Sequence, residues 1–91
     1  MQSINDNGGN RRRSPRIRTF KAGKLVFNAG ASVLDCTILD LSSSGARLDV
    51  GAPARTPVEF VLEFDLGEGI RRVFCATKWR RKGAIGVIFR A

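Results

Sequence analysis

Val58-Glu59-Phe60-Val61-Leu62-Glu63-Phe64-Asp65 carries the clearest two-residue alternation in the chain. Val58, Phe60, Leu62 and Phe64 fall on one face, while Glu59, Glu63 and Asp65 share the other with Val61. Successive side chains of a strand point to opposite faces, so this pattern predicts a half-buried β-strand. Gly67-Glu68-Gly69 reads as a hairpin turn, and Ile70 to Arg80 returns from it carrying Val73, Phe74, Cys75 and Trp79. Arg81-Lys82-Gly83 turns again, and Ala84 to Phe89 forms the last strand. Upstream, Gly51 to Pro57 is a loop punctuated by two prolines. Before it, Ala46, Leu48 and Val50 face one way, and Arg47 and Asp49 the other. Val33 to Leu41 and Thr19 to Phe27 are two earlier strands joined by a turn over 28–31. About six short strands separated by turn signals, with no convincing helix, predict an all-β fold: a small six-stranded antiparallel barrel. Closing such a sheet buries the Phe60, Leu62 and Phe64 face and leaves no long open edge.

The chain has 91 residues, enough for one domain with a modest core. It reads as a leader over 1–18 and a barrel over 19–91. Residues 1–10 are polar and rich in Asn and Gly, which favours disorder, and they lack the apolar core of a secretion signal. No apolar run is long enough to span a membrane. Cys36 and Cys75 lie in apolar strand runs and read as buried free thiols of a cytoplasmic protein, with a disulfide between them as the alternative.

Net charge is +8, and residues 1–18 hold five arginines against one aspartate. Such a balance favours an anionic partner: a nucleotide, a nucleic acid or an acidic surface. Catalysis is poorly supported. The chain has no His and no Tyr, so no Ser has an imidazole to activate it, and two cysteines alone cannot complete a zinc site. Phosphate-cradling glycine loops are absent as well. The reading is therefore a binding protein without a cofactor or metal.

Two stretches concentrate chemistry. Asp40-Leu41-Ser42-Ser43-Ser44-Gly45 is a polar corner between two strands. Asp and Ser bond nearby backbone, and Gly permits positive φ, so the chain can turn there and aim a carboxylate and hydroxyls at a ligand. Arg11-Arg12-Arg13-Ser14-Pro15-Arg16 supplies the opposite charge, with Pro15 excluding a helix. Trp79, amid Lys78, Arg80 and Arg81, reads as barrel core or barrel end, with a nucleic-acid stacking patch as the alternative. Arg47, Asp49 and Arg55 read as surface.

Arg12-x-x-x-Arg16 followed by Asp40-x-Ser42-x-x-Gly45 resembles the PilZ domain, a family marked by R-x-x-x-R ahead of a six-stranded barrel and by (D/N)-x-S-x-x-G after its second strand. The likeness runs from residue 11 to 90. It implies a receptor for the bacterial second messenger cyclic di-GMP, gripped by Arg12 and Arg16 and completed by Asp40, Ser42 and Gly45. The chemistry agrees: a guanidinium forks onto phosphate oxygens or guanine O6 and N7, and a carboxylate accepts from guanine N1–H and N2–H₂. Arg13 and Arg11 flank the pair, and Arg11 as a third cation would favour a stacked ligand dimer. Residues 8–18 are expected to be mobile when free and to fold over the ligand, altering the surface shown to a downstream protein partner. Many PilZ domains end in a helix packed on the barrel; no residues remain for one here after Arg90-Ala91, which puts in doubt a dimer or barrel-end contact through that helix and is expected to leave an apolar patch for a partner. The rival reading is a small basic barrel binding RNA or single-stranded DNA, which the low aromatic content does not favour. A PilZ-like module without ligand binding is opposed by the intact motif residues.

Overall fold

The computed structural model describes residues 16–90. Strands β1 (Ile17–Phe27), β2 (Ser32–Leu41), β3 (Gly45–Asp49), β4 (Glu59–Asp65), β5 (Ile70–Arg81) and β6 (Ala84–Phe89) pair antiparallel throughout. Their order, β1-β2-β3-β6-β5-β4, closes when Gly23–Val26 of β1 meets Val61–Phe64 of β4. The fold is thus the expected six-stranded barrel, without an α-helix among the described residues. One 3-10 turn, Pro53–Arg55, lies in the proline loop.

The alternating strand supplies the centre of the core. Phe60, Leu62 and Phe64 point inward with Leu25, Ile38, Leu48 and Ile85, all buried. Full burial of each such side chain contributes about 1.5–3 kcal/mol. Val58, expected on this face, is 63% exposed because pairing of β4 with β5 starts only at Glu59↔Ala76. The first strand begins at Ile17 rather than Thr19, with Ile17 opposite Leu41 and Arg18 opposite Asp40. Residues 17 and 18 of the expected leader thus pair within the first strand; its part over 8–15 lies outside the described residues.

Three irregularities in pairing shape the wall. Between Arg18 and Lys21 two residues of β1 oppose one of β2, with Phe20 at φ 48°. Leu39 is an extra residue between Ile38↔Leu48 and Asp40↔Arg47. Lys78 is extra between Thr77↔Val87 and Trp79↔Gly86. Each bulge reverses which face the next side chain takes. Strict alternation from Cys36 and Ile38 would drive the Asp40 carboxylate into the core; the bulge at Leu39 turns it outward beside Arg47. Alternation from Cys75 and Thr77 would send Trp79 inside, the core position that the sequence reading offered beside a barrel-end one. The bulge at Lys78 sends it out, where its ring covers the Gly86 backbone and stays outside the core cluster.

Cys36 and Cys75 are buried free thiols inside the barrel. Burial pushes Cys36 up to about 12, with the nearby Asp35 charge adding to the effect, and pushes Cys75 up to about 11. Both values are raised, so the native state keeps its thiol protons where the unfolded chain, near 9, releases them. Stability from this source is complete below pH 9 and falls as pH rises through 9 toward 11 and 12. Urea unfolding should lose about 1 kcal/mol per thiol by pH 10, and a Cys36→Ala/Cys75→Ala double variant should show a flatter alkaline limb. Equal slopes for the two proteins would contradict the assignment.

Candidate functional site

The corner after β2 is built by Ser42. Its N–H donates to the Gly45 carbonyl at 2.9 Å, while its hydroxyl oxygen accepts the Ser44 and Gly45 N–H groups, each at 3.2 Å. Ser44 is tied to β6 through its carbonyl, which accepts from Phe89 N–H at 2.9 Å. Gly45 does not adopt positive φ, contrary to expectation. It is needed for close approach instead: a Cβ there would land on the Val87 carbonyl oxygen of β6.

Asp40 stands just before this corner, on the outer wall, yet is only 5% exposed. Two guanidiniums cover it. Arg47 Nε donates to Oδ2 at 2.9 Å, and Arg16 Nη1 reaches Oδ1 at 3.5 Å. The first is a well-made charge-assisted bond; the second lies at the outer limit of hydrogen bonding. The carboxylate thus has one firmly held oxygen and one loosely held oxygen. The two arginine side chains are 42% (Arg16) and 38% (Arg47) exposed, so both remain open to a ligand.

Two surface clefts meet at Arg16 and Trp79. One, of about 140 Å³, is bordered by Ser42, Ser44, Gly45 and Lys78. The other, of about 510 Å³, is bordered by Asp40, Arg47, Arg81 and Lys82. The Arg81 guanidinium lies over the Trp79 ring, 4.8 Å from its centroid.

The fold therefore brings Arg16, Asp40, Ser42 and Gly45 onto one wall, although Arg16 and Asp40 are 24 residues apart. Arg11, Arg12 and Arg13 lie outside the described residues. Arg47, read as plain surface, is a direct partner of Asp40. A signal for it existed: counting outward from a turn closed by Ser42 and Gly45 sets Leu41 against Ala46 and Asp40 against Arg47, as observed. Trp79 and Arg81, weighed for function in the sequence only as part of a nucleic-acid stacking patch, are aimed outward by a bulge that alternation alone cannot reveal. Among the described residues no cluster of three or more His, Cys, Asp or Glu side chains could hold a metal ion, and no helix is long and apolar enough to cross a membrane.

Comparison with known proteins agrees with this architecture. The family profile of the PilZ domain matches residues 10–90. The chain belongs to the PilZ domain family, a known family of cyclic di-GMP receptor domains. Among solved structures, the PilZ domain of CeSA from a cellulose synthesizing bacterium superposes with a TM-score of 0.73 at 19% identity, covering 86% of this chain and 82% of that one. A comparison with curated proteins gives no match.

Proposed function

We propose that this protein is a receptor for cyclic di-GMP, binding it on the outer wall where Arg16, Asp40, Ser42 and Gly45 converge. The observation that carries the reading is the meeting of the two motifs: Arg16 of R-x-x-x-R lies against Asp40 of D-x-S-x-x-G, and both border open clefts. Arg16 takes a phosphate or the guanine O6/N7 edge. Asp40 Oδ1, loosely held by Arg16, is the oxygen free to accept from guanine N1–H and N2–H₂. Adenine lacks that pair of donors, so the carboxylate selects guanine. Ser42 and Gly45 keep the corner tight and low, leaving room for the ligand. Arg12 and its neighbours Arg11 and Arg13 close over the ligand from the preceding segment, and that closure changes the surface offered to a partner protein.

Binding to single-stranded nucleic acid is the weaker reading. Its stacking patch would need Trp79 and Arg80 free, but Trp79 lies against Gly86, and Arg80 donates to the Pro53 and Thr56 carbonyls at 3.1 and 2.7 Å.

Calorimetric titration separates the readings. Cyclic di-GMP should bind in the micromolar range or tighter, and cyclic di-AMP at least tenfold more weakly. Arg16→Ala should lose a charge-assisted bond of about 1.5–3 kcal/mol, which is roughly 10- to 150-fold in affinity. Equal binding of the two dinucleotides, or an Arg16→Ala variant that binds as well as the parent, would refute the assignment.

A further inference from the structure

The motif residues account for one side of the wall. The larger cleft, which Arg16 and Asp40 also border, is lined as well by Arg47, Trp79, Arg81 and Lys82, side chains that no motif names. We propose that this cleft is a second binding compartment, built by Arg47 and Arg81, which receives one guanylate half of the dinucleotide. The inference rests on the cyclic di-GMP reading and extends it to residues outside both motifs.

The argument begins with how each guanidinium is held. Arg47 spends its Nε on Asp40 Oδ2 at 2.9 Å. No bond to a described residue engages its two terminal nitrogens, and the side chain is 38% exposed. A guanidinium anchored through Nε presents a fixed fork, the geometry that matches two phosphate oxygens or the O6 and N7 of guanine. Arg81 is held differently. Its guanidinium carbon lies over the Trp79 ring, 4.8 Å from the centroid, and Trp79 is itself backed by the Gly86 main chain. The outer face of that guanidinium is left for a purine to stack on.

Both groups line the same space of about 510 Å³ together with Arg16 and Lys82, and Asp40 is the lone acid there. That volume suits a small ligand with rings and negative charge. Ordinarily an arginine must lose side-chain freedom when it grips a ligand. Here the carboxylate and the indole have already imposed much of that order, which favours affinity without new contacts. Arg16 borders both clefts and would sit between the two halves of a bound dinucleotide.

Trp79 makes the test direct, since the chain holds one Trp and no Tyr. Cyclic di-GMP would be titrated into the full chain and into Arg47→Met, Arg47→Lys, Arg81→Met and the control Arg72→Met, read by calorimetry and by Trp79 emission. Arg72 pairs with Glu63 at 2.9 Å and borders neither cleft. Arg47→Met and Arg81→Met should each weaken binding about tenfold, and Arg47→Lys by less, since it keeps the charge but not the fork. Ligand should change Trp79 emission in the parent, and Arg81→Met should reduce that response at saturation. Arg72→Met should bind as the parent does. If the parent binds and Arg16→Ala does not, but Arg47→Met and Arg81→Met stay within twofold and Trp79 emission is silent, the second compartment is overturned while the receptor reading stands. If the parent fails to bind, both fall.

Discussion

Gly45→Ala is expected to lower the melting temperature by about 5–20 °C, from a loss of about 1–3 kcal/mol in a domain of this size, and to abolish ligand binding with it. The cause is contact. The Cβ would fall on the carbonyl oxygen of Val87, which belongs to backbone and cannot swing aside as a side chain would. Relief requires β3 to move away from β6, and Gly45↔Ile88 is the first pair of that ladder. The same shift would pull Ser44 from Phe89 and open the corner that Ser42 holds. A rival cause would be conformational: Gly45 as a residue that must adopt positive φ. Asn tolerates that region better than Ala does, so Gly45→Asn would then be the milder change. Because Gly45 does not have positive φ, Asn should be no better than Ala, being the larger side chain. Thermal melts of both variants decide it, and a Gly45→Asn protein more stable than Gly45→Ala would sink the contact explanation.

That glycine illustrates what the sequence could and could not convey. Strands were legible wherever one face is apolar, so Phe60, Leu62 and Phe64 fell inside and Glu63 outside as read. The last strand, Ala84 to Phe89, was found to its ends. The motif corner was legible as a corner, but the reason for its glycine was not, because the reason is a carbonyl 42 positions further along the chain. Bulges were the main obstacle. One extra residue at Leu39 or Lys78 leaves no mark in composition, yet it decides whether Asp40 and Trp79 face oil or water. Asp40 offers the better retrospective clue, since a carboxylate in phase with Cys36 and Ile38 could enter the core only at great cost. A bulge ahead of it was the cheaper alternative. Trp79 carried no such warning, because an indole is at home on either face.

The second large effect is expected at Asp40. Asp40→Ala should weaken cyclic di-GMP binding by roughly 70-fold or more while costing only about 1 kcal/mol of stability. The disproportion follows from what surrounds the carboxylate. It is nearly buried, but its partners are not: Arg16 and Arg47 side chains are 42% and 38% exposed and can rehydrate once it is gone. Ion pairs of that exposure contribute little to folding, and the truncation also relieves the burial of a charge. Binding has no comparable relief. The variant loses the acceptor for the guanine edge, about 1.5–3 kcal/mol, and frees two guanidiniums that must then be ordered by the ligand at about 0.5–1.5 kcal/mol each. These add to about 2.5–6 kcal/mol, roughly 70-fold or more. Asp40→Asn separates the two contributions. It preserves the shape and one acceptor oxygen but not the charge that draws Arg47 and Arg16 in, so its affinity should lie between those of the parent and Asp40→Ala. A structural role alone would produce the reverse ordering of effects: a large fall in melting temperature with affinity of the remaining folded protein unchanged. Parallel melts and titrations on the same preparations would expose that pattern, because binding is then scored on molecules known to be folded.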